Sequence, residues 1–138
     1  MANKFLTSIK NIFVGDKMPQ EQLKEGMKNV SVAAMEHRYQ LDDLVGAAAI
    51  LRNLLELYGE NKRKNHRTKG REFIHFILGS KHKDLKTQGY AHWQNMNKII
   101  HLKKTAAYPY HKKNLRQAMD FFKKEIKGIN AIDINLPD

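Results

Sequence analysis

Cysteine is absent from all 138 residues, and that absence removes disulfides, thiolate metal sites and thiol nucleophiles together. Long apolar runs are missing as well: no stretch approaches the roughly 20 consecutive apolar residues that a membrane-spanning helix needs. A classical secretory signal is not found either, since Lys10 interrupts the short apolar run in MANKFLTSIKNIFVGD and no small-residue cleavage site precedes Asp16. The expected location is therefore the cytoplasm of the producing cell. There is no internal repeat and no low-complexity linker. A chain of this length is the size of one ordinary domain that can bury a core without staples.

What the sequence does contain is helical periodicity. Phe5, Leu6, Ile9, Ile12 and Phe13 share one face of a short amphipathic helix over residues 1–15, with Gly15 as a stop. Its cationic polar face makes residues 3–13 a candidate for peripheral contact with an anionic membrane. Beyond Pro19, a residue that suits a first helical turn, a heptad-patterned region runs over 19–58. Leu23, Met27, Val30, Ala34, His37, Leu41, Leu44, Ala48, Leu51, Leu55 and Tyr58 recur at steps of four and three. The seam fits one helix or two, and a break near RYQLDD is favoured, with Asp42 or Asp43 capping a second helix and Gly59 ending it. Ala47, Ile50, Leu54 and Leu57 widen the apolar face of that second half into a central helix. An apolar seam left uncovered within one chain would also permit a homo-oligomer. His37 reads as an exposed histidine at a helix end.

After Gly59 the composition changes. Residues 1–58 balance at zero, whereas residues 59–116 carry fifteen Lys/Arg against three Asp/Glu. KRKNHRTKGR, residues 62–71, concentrates six cations and a histidine in ten positions. Six of the seven histidines, all except His37, fall in the same basic segment. Three further helices are expected there and after it. Phe73, Ile74, Phe76, Ile77 and Leu78 form an apolar cluster; Trp93, Met96, Ile99 and Ile100 follow at helical intervals; Leu115, Ala118, Met119, Phe122, Ile126 and Ile129 make a stripe. Trp93 and Phe76 both read as core. Residues 117–138 hold the end of the last helix and an irregular tail. Strands elsewhere are not expected, although NVSVAA is ambiguous. The fold expected is thus all-α: a single small helical bundle of about five helices with an irregular C-terminal tail.

Such a concentration of cations favours an anionic partner and speeds its capture. An acidic protein surface is the leading expectation, with Lys62, Arg63, Lys64, Arg67, Lys69 and Arg71 as the first contact residues. Tyr108 and Tyr110, beside the Lys112/Lys113 pair, are the aromatics expected to be exposed among cations. Nucleic acid is the alternative, phosphates meeting the cations and tyrosines stacking on bases; no zinc-finger spacing, RNA-recognition aromatic signature or tight helix-turn-helix accompanies it.

Catalytic chemistry finds little footing. Glu72 and His75 form one Glu-x-x-His pair, but a di-iron bundle needs a second pair and further glutamates. Arg71 and His75 resemble the Arg/His signature of small all-helical ribonucleases of the HEPN type, at a spacing that is too short. A metal-independent ribonuclease using His75 or His92 as general acid or base is the residual enzymatic reading. No glycine-rich phosphate loop, nucleophile elbow or zinc-protease helix occurs, and no metal, cofactor or catalytic residue is expected.

Overall fold

A computed structural model describes residues 28–62, 70–101 and 108–135. The N-terminal amphipathic segment, Leu23 and Met27 lie outside these residues. Among the described residues, five α-helices carry the fold: α1 (Val32–Gln40), α2 (Leu44–Lys62), α3 (Gly70–Leu78), α4 (Lys83–Ile100) and α5 (Tyr108–Glu125). A 3-10 turn, Lys127–Ala131, follows α5. The all-α bundle is as expected, with one addition: β1 (Asn29–Ser31) pairs antiparallel with β2 (Asp133–Asn135), Val30 opposite Ile134.

That strand pair corrects two readings. Val30 belongs to the core, fully buried, but from a strand and not from a helical seam. The tail, read as irregular, makes a 3-10 turn and returns to cover β1. Ser31 marks the change of structure: its backbone is extended, and its Oγ accepts the Ala34 N–H at 3.0 Å, capping α1.

The break in the heptad region lies at Asp42 and Asp43, and the two aspartates do different work. Asp42 sits at φ +61°, the left-handed conformation that ends many helices. Its N–H reaches the Tyr39 carbonyl at 3.0 Å while the Asp43 N–H reaches Arg38 O at 2.9 Å, the paired bonds of a Schellman ending. Asp43, 7% exposed, then caps α2 by accepting the Gly46 N–H at 2.9 Å, and Arg38 donates to its other oxygen at 3.4 Å. Gly46 is required here: a Cβ would stand 2.3 Å from Asp43 Oδ2.

From this cap α2 runs through the centre of the bundle, every residue from Leu44 to Leu51 buried, in contact with the four other helices and with β1. Of the seam, Val30, Leu44, Ala48, Leu51 and Leu55 are buried within one chain, whereas His37 and Leu41 are exposed. Gly59 does not end α2, contrary to expectation. It lies inside the helix, where a Cβ would meet the Phe73 ring at 2.6 Å, so the missing side chain lets α3 approach. Phe73, Ile74, Ile77 and Leu78 pack inward, and Trp93 tilts against Phe73 at 5.4 Å. Phe76 does not join them: it is 36% exposed, because α3 uses its other flanks against α2 and α4.

Contacts fix the helix directions. Lys112 near the start of α5 bonds to Asp42 beside the start of α2, and Gly128 just past α5 lies against Tyr58 in the last turns of α2. Helices α2 and α5 therefore run parallel. Lys81, just before α4, pairs with Glu125 at the end of α5 at 3.4 Å, so α4 runs the other way.

A charge cluster clamps α1 onto α5. Arg116 grips Glu36 with two bonds of 2.7 Å each and also reaches Asp120 at 2.6 Å, while Lys123 donates to Glu36 at 2.8 Å. The Arg116 guanidinium lies over the Tyr39 ring at 4.9 Å. The Arg116 hydrogen bonds, helped by Lys123, hold the Glu36 carboxyl down at about 2, against an ordinary value of 4.5.

Two outcomes test this account. Asp43→Ala should cost about 1–3 kcal/mol in urea unfolding, from the lost cap and the orphaned Gly46 N–H. Gly46→Ala should cost a similar amount by displacing the same carboxylate, and the double variant should fall well short of the sum. Glu36→Gln should lower stability at neutral pH by about 1–2 kcal/mol once solvent screening is counted. Because the folded carboxyl is depressed, that contribution is complete above the ordinary 4.5 and fades as pH falls toward 2. The gap between native and variant melting curves should close over the same range.

Candidate interaction surface

The described members of the expected contact set lie at both ends of α2. Lys62 is the last residue of α2, and the chain continues from it into Arg63, Lys64, Arg67 and Lys69, which lie outside the described residues. Tyr108, Tyr110, Lys112 and Lys113 belong to the first turns of α5, beside the start of α2. Helix α2 has 19 residues and rises about 1.5 Å for each, so about 28 Å separates its two ends. Lys62, by its place at the end of α2, and Tyr110, Lys112 and Lys113 therefore do not share one compact patch.

At the α5 start, Tyr110 is 64% exposed and meets the His111 ring edge-on at 5.7 Å. Lys113 is exposed, whereas Lys112 is bonded to Asp42 and stands 5.5 Å from the Tyr39 ring centre. Leu41, 61% exposed in the α1–α2 turn, is close by in the chain to both Tyr39 and Asp42.

The opposite end of the bundle gathers cations that the sequence scatters. Here α2 ends, α4 begins and α5 ends. Lys81, and Lys83 and Lys86 in the first turns of α4, share this end with Lys124 and Lys127 at the end of α5. Lys81 pairs with Glu125, while Lys83, Lys86, Lys124 and Lys127 meet no carboxylate among the described residues. Lys124 and Lys127 lie outside the basic segment as read from the sequence. What joins them to it is the direction of the helices.

Arg71 opens α3 with its guanidinium 4.9 Å from the Tyr90 ring centre. Gly70 beside it takes φ +51°, the left-handed conformation that glycine adopts freely. Glu72 and Phe76 are exposed on this helix, and His75 is half-buried. At the start of α4, His82 Nδ1 accepts the Asp84 N–H at 3.2 Å, an imidazole used as a helix cap.

Arg71 rests on Tyr90, while His92 is half-buried in α4 against Phe121 at 4.8 Å and Phe122 at 6.4 Å. Burial pushes the His92 imidazole below its ordinary 6.5. Among the described residues, no group of three or more His, Asp or Glu is placed to hold a metal ion, and no helix is long and apolar enough to cross a membrane.

His92 yields a pH expectation. Its folded value lies below 6.5, so the unfolded chain takes up the proton first and stability falls as pH drops below 6.5. His92→Leu should show a smaller loss of melting temperature than the native chain between one unit above and one unit below that value. Equal losses would mean that burial of this ring does not govern the acid response.

No family model, no curated protein and no solved structure matches this chain.

Proposed function

We propose that this chain is a small non-catalytic binding or regulatory protein, working in the cytoplasm, whose basic end docks on an acidic partner, and that the partner is another protein. The observation that carries the reading is that Lys81, Lys83 and Lys86 share one end of the bundle with Lys124 and Lys127, from separate parts of the chain. To these the sequence adds Arg63, Lys64, Arg67 and Lys69, which follow Lys62 directly. Elsewhere the carboxylates are used inside the molecule: Glu36 by Arg116 and Lys123, Asp42 by Lys112, Asp43 by Arg38. Lys83, Lys86, Lys124 and Lys127 form no ion pair among the described residues; cations so placed raise the local potential, and a partner of opposite sign relieves it.

The test is an affinity pull-down of the tagged chain from lysate, with and without nuclease, repeated with Arg63→Glu, Arg67→Glu, Lys83→Glu and Lys127→Glu combined. Protein partners should survive nuclease and be lost from the charge-reversed variant, while the helical circular-dichroism spectrum and melting temperature stay nearly unchanged. Recovery of nucleic acid, with proteins vanishing after digestion, would transfer the basic end to phosphate binding. Loss of fold in the variant would make the cations structural and end the proposal.

A further inference from the structure

Within the docking reading above, on which this step rests, we infer that docking at the basic end is linked to a proton on His82: the imidazole caps α4 when neutral, and when charged it pairs with Asp84 and leaves the lysines of this end to the acidic partner. His82 stands between Lys81 and Lys83, with three-quarters of its side chain in solvent. Its Nδ1 accepts the Asp84 N–H at 3.2 Å and lies 3.6 Å from Asp84 Oδ2. One nitrogen thus faces two alternatives. A lone pair on Nδ1 serves the backbone donor, whereas a protonated Nδ1 gives up that bond and has a carboxylate oxygen beside it to donate to.

The same proton changes what a partner meets. Asp84 is 81% exposed in the first turn of α4, next to Lys83, at the end of the bundle that Lys86, Lys124 and Lys127 share. No lysine among the described residues holds it, while Glu125 is taken by Lys81 at 3.4 Å. With His82 neutral, the Asp84 carboxylate opposes an acidic occupant; with His82 charged, that carboxylate is answered from beside it. Lys81, Lys83 and the N-terminal end of α4 oppose a charged imidazole, Asp84 favours it, and an incoming carboxylate adds to the side of Asp84. Binding of an acidic partner therefore draws a proton onto His82, and by the same linkage a lower pH tightens the docking. Histidine is the side chain that makes this change between about pH 5 and 8. Of the other described histidines, His37, His101 and His111 lie toward the far end of the bundle, His92 is turned into the α4–α5 contact and His75 is half-buried in α3. His82 is the one set between lysines of the basic end.

The experiment titrates the full chain into a rhodamine-labelled peptide of glutamates, read by fluorescence anisotropy at fixed ionic strength. It is run at about pH 7.5 and about pH 5.5, both above the ordinary glutamate value of about 4.3, so the peptide keeps its charge. The native chain should bind about threefold more tightly at the lower pH. His82→Asn keeps an acceptor for the cap and never charges; it should match the native chain at the upper pH and gain clearly less at the lower, whereas His75→Gln should gain as the native chain does. Asp84→Asn should tighten binding at the upper pH and shrink the gain. Calorimetry at about pH 6.5, in two buffers of different ionisation enthalpy, should show proton uptake on binding by the native chain and less by His82→Asn. A gain as large in His82→Asn as in the native chain, or equal proton uptake, overturns the link and leaves the docking reading standing if Lys83→Glu with Lys127→Glu still weakens the peptide. No binding at either pH, or binding indifferent to those reversals, overturns both.

Discussion

The Asp43 carboxylate, buried between Arg38 and the Gly46 N–H, fixes where α2 begins, and the other elements take their places from α2. The cost of burying that charge is met by a hydrogen bond at a helix N-terminus and by a guanidinium on the preceding helix. With its start set, the first half of α2, from Leu44 to Leu51, presents apolar residues all round, so it must be covered on every side. Helix α1 folds back on it through the Schellman turn, and α3, α4, α5 and β1 cover the rest. A one-residue shift of the cap would rotate α2 by about 100° and put its side chains out of step with each of these neighbours.

Periodicity made much of this legible. The seam from Leu44 to Leu55, the inward clusters of α3 and α4 and the stripe of α5 all follow from spacings of three and four, because a helix repeats its face locally. What escaped the sequence depends on residues far apart in the chain. Val30 continues the seam by spacing, yet it becomes a strand because Ile134, near the other end, supplies the pairing partner. Gly59 reads as a stop, yet it continues the helix because Phe73 fills the space above it. Phe76 reads as core, yet burial on α3 is decided by which flanks α2 and α4 occupy. The grip of Arg116 on Glu36 spans 80 positions, beyond any local pattern.

The candidate surface was legible in the same uneven way. The excess of cations could be counted, and Arg71 and Lys62 stand among the residues first singled out. Their neighbours could not be assigned, because helix direction decides which chain segments share an end. Since α4 opposes α2 and α5, the start of α4 meets the finish of the other two. Lys124 and Lys127 thereby join the basic group, while Tyr110 and Lys113 go to the far end. The anions divide unequally too: Asp42, Asp43, Glu36 and Asp120 lie along the α1–α5 side, each with a cation. Lys83, Lys86, Lys124 and Lys127 thus share one end of the bundle without an ion pair among the described residues, while the α1–α5 side is laced with paired charges.

The three rungs between β1 and β2 have a mechanical consequence. Asn29 and Asn135, the outermost pair, lie side by side, and the chain leaves the sheet from both on the same side. Tension applied through the two flanking segments would load the hydrogen bonds one at a time, like the teeth of a zipper. Antiparallel bonds perpendicular to the strands yield in sequence under such a pull. The strand pair would part before the helices feel the force, exposing Val30 and loosening the tie between the start and the finish of the bundle.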